Sequence, residues 1–308
     1  MTRTVETGAT SGATSGAAAA WRQVLGSSRP VSWVNTAYPF AAAYLMAGGT
    51  GRVGVPELVV GALYFLVPYN LLMYGLNDVW DYESDLRNPR KGGIEGVVLS
   101  RRWHRLTVRA AVLSNVPFLV YLVLVGDVAS TAVLAVSVFA VVAYSAPGLR
   151  FKERPVLDSA TSSTHFVSPA VFGLALAGAA PTGPVLAALA GFFLWGMASQ
   201  AFGAVQDVEA DRAAAIGSVA TWLGAARTVR GAMALYAAAG LVLLLGGPPV
   251  AWAAVLVVPY VVSIAPYRSL PDSRCEEAHA GWRRFLWLNL VTGFLVTQLL
   301  IAVAIGWL

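Results

Sequence analysis

Two short acidic runs hold most of the chemistry this chain has to offer: Asn77-Asp78-Val79-Trp80-Asp81-Tyr82-Glu83-Ser84-Asp85 and Asp207-Val208-Glu209-Ala210-Asp211. Seven of the sixteen Asp and Glu residues fall inside them, in a chain that is 12% charged and 57% hydrophobic, so their clustering asks for a reason. In a continuous helix Asn70, Tyr74, Asn77, Asp78, Asp81 and Asp85 step along one face at intervals of three and four, with Glu83 pointing elsewhere. Asp207 and Asp211 form an i, i+4 pair, with Gly203 one turn below and Gln200 seven residues before Asp207. Like charges at these spacings repel one another unless a cation lies between them. Carboxylate oxygen suits Mg²⁺, which keeps several waters and shares itself with substrate phosphates. Two such clusters facing each other would hold a diphosphate through its metals, with Asn77, Asp78, Asp81, Asp85, Asp207 and Asp211 as candidate ligands. Either run taken alone also reads as a solvated rim.

The elements that must carry these residues are membrane spans. Mean hydropathy is +0.65, and apolar runs long enough to cross a ~30 Å hydrocarbon core recur along the chain. Nine are predicted, at about 30–48, 56–77, 104–124, 129–146, 156–178, 184–206, 227–246, 249–267 and 283–305. Basic residues cluster before the first span (Arg22, Arg29) and after the second (Arg87, Arg90, Lys91, Arg101, Arg102, Arg105), the fourth (Arg150, Lys152, Arg154), the sixth (Arg212, Arg227, Arg230) and the eighth (Arg268, Arg274, Arg283, Arg284). The opposite loops carry only Arg52. By the positive-inside rule the N-terminus and both acidic runs are expected in the cytoplasm and the C-terminus outside a cell membrane crossed many times.

The formal charge of +5 is thus a topology signal, and nothing in the chain suggests nucleic-acid binding. One cysteine, Cys275, excludes an intramolecular disulfide and a cysteine-built metal site. Residues 1–27, with Ala-Thr-Ser-Gly repeated at the start, have no apolar core and are expected to form a disordered cytoplasmic tail, leaving 28–308 as one membrane domain. One acidic motif ends the second span and another ends the sixth. The expected fold is therefore all-α and integral to the membrane, about nine transmembrane helices in two four-helix-like bundles around a central cavity.

Several polar residues lie inside the predicted spans. Asn35, in the first, is costly in lipid unless it contacts substrate or bonds to another helix. Thr161 to His165 form a polar stretch in the fifth, with Asp158 one turn before Ser162; its hydroxyls either act on substrate or bond back to helix carbonyls. His165 is titratable within a span, and could bind diphosphate, take a final proton or serve structure alone. Breaking a C–O bond to diphosphate leaves an allyl cation, which calls for metal and Arg or Lys on the departing anion and for exclusion of water. Tyr74, Tyr144, Trp195 and Phe202 are candidates to face that cation, with interface anchoring or packing as the alternative.

An Asn-Asp-x-x-Asp-x-x-x-Asp element with a later Asp-x-x-x-Asp element in a nine-span chain resembles the UbiA superfamily of intramembrane prenyltransferases. Ser28-Arg29-Pro30, Tyr144-Ser145-Ala146-Pro147, Leu149-Arg150-Phe151-Lys152, Gly217, Thr221 and Gly224 extend the resemblance over nearly all of the chain after residue 28. Within the superfamily the bacterial lycopene elongases are most similar, in Ser32-Trp33-Val34-Asn35-Thr36-Ala37-Tyr38-Pro39-Phe40, Asp85-Leu86-Arg87-Asn88-Pro89-Arg90-Lys91-Gly92-Gly93, Thr161-Ser162-Ser163-Thr164-His165-Phe166, Gly196-Met197-Ala198-Ser199-Gln200 and Gly203-Ala204-Val205-Gln206-Asp207. The resemblance implies Mg²⁺ as cofactor and the two acidic elements as metal and diphosphate sites. It implies Asp78, Asp81, Asp207 and Tyr144 as catalytic residues and Asn77, Arg150 and Lys152 as substrate-binding residues; the reading of the in-span polar residues adds His165 as a catalytic candidate and Asn35, Ser162 and Gln200 as substrate-binding candidates. It further implies dimethylallyl diphosphate as donor, the end of lycopene or a related linear carotenoid as acceptor, and a possible partner subunit. An aromatic, quinone-type acceptor and, more distantly, a cation transporter are the alternative readings; transporter carboxylates usually lie near the bilayer midplane, whereas these sit at span ends.

Overall fold

The computed structural model describes residues 9–50, 54–86 and 99–308, and every regular element among them is helical. Helix α1 (Ala9–Ser27) falls in the stretch expected to be disordered. Alanine dominates it and favours helix, and Ala20, Val24 and Ser27 are buried, the helix packing on α4. The first bundle continues with α2 (Val34–Met46), α3 (Val55–Leu66), α4 (Pro68–Trp80), the short α5 (Tyr82–Asp85), α6 (His104–Val125), α7 (Val128–Ser145) and α8 (Leu157–Leu176). The second holds α9 (Gly183–Val205), the short α10 (Val208–Ala213) and α11 (Val219–Leu223), then α12 (Ala225–Leu245), α13 (Val258–Ile264) and α14 (His279–Ala304).

Each of the nine predicted spans falls on a helical stretch. Among the described residues seven are long and apolar enough to cross a membrane: Val55–Trp80, Arg101–Val125, Val128–Ser145, Gly183–Val205, Ala225–Leu245, Val250–Tyr267 and Asp272–Ala304. The other two differ for stated reasons: α2 has only 13 residues, and α8 carries Asp158, Ser159, Thr161, Ser162, Ser163, Thr164, His165 and Ser168. Apolar side chains cover the outside: Val112, Val116, Val120 and Leu124 make an exposed stripe along α6 at intervals of four, a face suited to lipid.

Two separate cores match the expected two bundles. The first gathers Phe40, Tyr44, Tyr64, Phe65, Tyr69 and Phe172, all fully buried, with ring centroids 4.9 Å apart for Tyr64 and Phe65 and 5.1 Å for Phe65 and Tyr69. The second gathers Phe202, Tyr236, Tyr260 and Phe285, with Trp282 stacked on Phe285 at 4.6 Å. In lipid such close packing, rather than escape from water, holds helices together. Helix α8 lies between the cores, touching α2 and α7 on one side and α9 on the other.

The second predicted span is not one helix. Pro68 starts α4 after a break at Val67, and the carbonyls there are taken by polar side chains. Thr36 Oγ1 donates to Phe65 O at 2.7 Å, and Asn70 Nδ2 donates to Phe65 O and Thr36 Oγ1, each at 2.7 Å. Asn70, read from the sequence as the foot of a polar stripe, is therefore a buried structural amide. The stripe also breaks at its top: α4 ends at Trp80, Asp81 caps it, and Asp85 belongs to the separate α5.

Candidate active site

The first acidic motif ends α4, where three loop cations converge on it. Lys152, in the helical turn Phe151–Glu153 between α7 and α8, binds Asp81 Oδ2 and lies 3.3 Å from Asn77 Oδ1. Arg150 reaches Asp81 Oδ1 at 3.4 Å and also pairs with Glu153. Ser145, the last residue of α7, donates to Asn77 Oδ1 at 2.9 Å. Arg29 lies 3.6 Å from Asp78 Oδ1 and 4.3 Å over the ring of Tyr74, and its Nε is buried without a hydrogen-bond partner. The Asp78 side chain is fully buried, and those of Asp81 and Lys152 are 11% and 12% exposed. Among the described residues, three carboxylates (Asp78, Asp81, Glu153) thus face three cations (Arg29, Arg150, Lys152).

Burial and these pairings shape the ionisation of the loop. Burial pushes the Lys152 ammonium down to about 8, against Glu153 and Asp78, which hold it up; Arg29 lowers it further. The hydrogen bond from Arg150 keeps the Glu153 carboxyl below its ordinary range. The backbone here is strained: among the described residues the non-glycine positive φ values fall at Arg29 (φ 51°) and Arg150 (φ 40°), which pair with Asp78 and Asp81, at Val156 (φ 73°) and at Ala215 (φ 56°), four residues after Asp211. Such outliers cost about 1–3 kcal/mol each and gather where a site must be held in one shape.

The second motif follows α9. Asp207 precedes α10, and the Asp211 amide donates to the Asp207 carbonyl at 2.8 Å, which keeps the predicted i, i+4 relation; both side chains are half-buried. The turn is held from behind by Gln206, whose Oε1 pairs with His279 Nδ1 at 2.8 Å, and by Arg212, which pairs with Asp272 at 2.6 Å. Two contacts tie this loop to the first. Asp158, buried at the start of α8, accepts the Val219 amide at 2.8 Å. Gly217 packs so tightly that a Cβ there would stand 2.3 Å from the Glu153 carbonyl oxygen.

Deeper in the bundle a second group of predicted residues meets. Ser162 Oγ donates to Gln200 Oε1 at 3.0 Å, and Gln200 Nε2 reaches Tyr144 Oη at 3.5 Å. The Tyr144 ring packs edge-on against the His165 ring at 5.1 Å. Asn35 stands apart, exposed on α2, while its neighbour Thr36 turns inward. The side chain of Asp85 and residues 87–98, which include Arg87, Arg90 and Lys91, lie outside the described residues. Sequence reasoning did not select Arg29 as a site residue. Its signal was Pro30, which disfavours helix at the preceding residue and so frees Arg29 from α1 to turn toward α4. A cavity of about 380 Å³ at the other end of the first bundle, lined by Tyr44, Glu57, Asp127 and Leu176, holds none of the predicted site residues.

Among the described residues no group of three or more His, Cys, Asp or Glu side chains could hold a metal ion unaided. The donor set still fits Mg²⁺. It is all oxygen, and the Lys152 ammonium stands where Asn77 Oδ1 and Asp81 Oδ2 converge, a cation position already built. Mg²⁺ commonly takes one or two carboxylates and completes its shell with water and substrate phosphate. The buried, unpartnered Nε of Arg29 is in turn a donor suited to an anion.

Comparison with known proteins places this geometry. The profile described as the UbiA prenyltransferase family matches residues 36–291. A protein of Dietzia sp. (strain CQ4), the C(50) beta-cyclic carotenoids biosynthesis protein LbtBC, is 58% identical over 283 residues, covering 91% of this chain but only 65% of that relative's length. The lycopene elongase/hydratase of Corynebacterium glutamicum is 50% identical over 284 residues, 92% of this chain and 97% of the relative. Among solved structures, a UbiA homolog from Archaeoglobus fulgidus bound to DMAPP and Mg²⁺ superposes with a TM-score of 0.64 at 19% identity, covering 88% of this chain and 98% of that one, a likeness of fold.

Proposed function

This chain belongs to the UbiA prenyltransferase family, and from that premise we propose that it transfers the dimethylallyl group from its diphosphate, with Mg²⁺, to the end of lycopene or a related linear carotenoid in C50 carotenoid biosynthesis. The observation that carries the diphosphate half of this reading is the buried cluster of paired carboxylates and cations at the end of α4. The acceptor half is supported by the names of relatives that align along more than nine-tenths of this chain.

Asn77, Asp78 and Asp81, with Asp207 and Asp211 from the second motif, would hold Mg²⁺; Asp85 is the further proposed ligand. When bound, Mg²⁺ neutralises diphosphate oxygens and makes diphosphate a better leaving group. The protein's own part is an exchange of partners. In the resting cluster Lys152 and Arg150 are occupied by Asp81, and Arg29 by Asp78. With donor bound, these cations would turn to the diphosphate, Arg by bidentate contact and Lys as a point charge.

The allyl group then points away from the cluster toward Tyr144, whose neighbour Ser145 is bonded to Asn77. Its aromatic face can stabilise the cation by about 0.5–2 kcal/mol. An alkene attacks without prior deprotonation, so no base is required to activate a carotenoid acceptor. Gln200 and Ser162 line the approach to Tyr144 and would position the acceptor end. The site-bearing loops are proposed to face the cytoplasm, with residues 28–308 as the catalytic domain and a partner subunit as a possible addition.

The test uses purified protein in liposomes with dimethylallyl diphosphate, Mg²⁺ and lycopene. Asp78→Ala, Asp81→Ala and Asp207→Ala each abolish transfer while the protein stays inserted. Retained transfer in all three would sink the metal-site assignment.

A further inference from the structure

His165 is the polar group at this site that the transfer step leaves without a task. It lies seven residues along α8 from Asp158 and is 2% exposed. Its surroundings are otherwise paired. The His165 carbonyl accepts Tyr69 Oη at 3.3 Å, Tyr69 Oη accepts Ser137 Oγ at 3.1 Å, and Ser137 meets Ser168 at 2.7 Å. The Nε2 of its imidazole is buried and has no hydrogen-bond partner. An orphaned nitrogen inside a membrane protein is expensive, and it persists where it meets a water or does chemistry.

Its place in the chain of contacts says which chemistry. From Asn77 the contacts run to Ser145, beside Tyr144, and from the Tyr144 ring to the His165 ring. His165 thus meets the diphosphate cluster through Tyr144, the ring toward which the reading above directs the allyl group. Resting on the function proposed above, we propose that His165 terminates the reaction: its Nε2 holds a water molecule and takes that water's proton as the oxygen adds to the carbocation left on the acceptor.

The steps balance. The C–O bond of the donor breaks and its electron pair leaves with diphosphate. The π pair of the acceptor's terminal double bond forms the new C–C bond to the allyl carbon, which leaves a tertiary cation on the acceptor. A water lone pair forms the C–O bond to that cation, and the Nε2 lone pair accepts the proton the water loses. The product is a tertiary alcohol, and the imidazolium returns its proton to solvent as products leave. One water is consumed, and one diphosphate and one proton are released. Neutral imidazole is suited to this because it is a base strong enough for an oxonium proton yet not a lasting charge in the membrane interior.

The experiment compares wild type with His165→Gln and His165→Phe in liposomes containing lycopene, with dimethylallyl diphosphate, Mg²⁺ and ¹⁸O-labelled water. Diphosphate release and the ratio of alcohol to alkene among prenylated products are measured in the same samples. The proposal expects labelled alcohol from the wild type and an alcohol-to-alkene ratio at least tenfold lower in both variants, the cation losing a carbon-bound proton instead. A residue that only packs would not move that partition. An unchanged ratio in either variant that still releases diphosphate overturns the proposal and leaves the prenyl transfer intact. So does a wild type that makes only alkene. Loss of diphosphate release in both variants overturns it by assigning His165 to the donor. A wild type that leaves lycopene unprenylated overturns it together with the reading it rests on.

Discussion

Replacing Lys152 by methionine removes one charge from the cluster while keeping a side chain of similar length. In the resting protein Lys152 binds Asp81 and lies 3.3 Å from Asn77 Oδ1, at 12% exposure, so its ammonium is held against carboxylate and amide oxygen with little water around it. If it turns to the diphosphate on donor binding, the variant loses one charge-assisted contact, about 1.5–3 kcal/mol. At about 1.4 kcal/mol per decade that is a fall in kcat/KM for the donor of between about tenfold and a little over a hundredfold. The fold suffers less. Asp81 keeps Arg150 at 3.4 Å and remains 11% exposed, so the destabilisation stays below the about 3–5 kcal/mol of a buried pair broken outright. Adding Asp81→Asn to Lys152→Met removes the carboxylate that has lost its lysine and recovers stability, whereas activity falls further. Donor turnover is read as diphosphate release at subsaturating dimethylallyl diphosphate, and stability as the Tm of the detergent-solubilised protein. A Lys152→Met enzyme within threefold of wild type in kcat/KM, with Lys152→Arg no better, would refute the exchange of partners.

Two other perturbations follow from the same loops. Because burial brings the Lys152 ammonium down to about 8, kcat/KM for the donor falls as pH rises through about 8, and Lys152→Arg removes that limb from the pH profile. The stability effect has the opposite sign: between about 8 and the ordinary value of 10.5 the unfolded chain holds more protons than the folded one, so this group adds stability as pH rises. A Tm that falls only in step with activity over that window would contradict this. Gly217→Ala places a Cβ 2.3 Å from the Glu153 carbonyl oxygen, an overpacking that costs about 1–3 kcal/mol; a lowered Tm with slower donor turnover is expected, and an unchanged Tm would contradict the close approach.

The sequence made the membrane bundle legible because spans announce themselves by length and hydropathy, and each of the nine falls on a helical stretch. The two that miss the criteria of length and hydropathy, α2 and α8, are the ones whose residues are spent on polar contacts: Thr36 bonds at the break before Pro68, and α8 carries Asp158, Ser162 and His165. The acidic motifs were visible from spacing, but helical spacing alone could not say that α4 stops at Trp80, nor that Asn70 turns to the backbone rather than to the motif. Arg150 and Lys152 entered through family resemblance, and the structure brings both to Asp81. Arg29 was hidden because an arginine before the first span reads equally well as a topology signal; only the turn at Arg29–Pro30 brings it back over Tyr74. The meeting of Tyr144 with His165 and Gln200 joins three helices, α7, α8 and α9, and no local pattern encodes such a contact.

The most direct test of the central claim is to express the chain in a lycopene-accumulating bacterium, beside its Asp81→Ala variant, and to separate the pigments by chromatography with mass detection. The account predicts new species heavier than lycopene by one and two five-carbon units, hydrated at the added ends, and none of them with Asp81→Ala. Unchanged lycopene from a well-inserted wild-type protein, with a pigment profile matching that of the variant, would contradict carotenoid elongation by this chain.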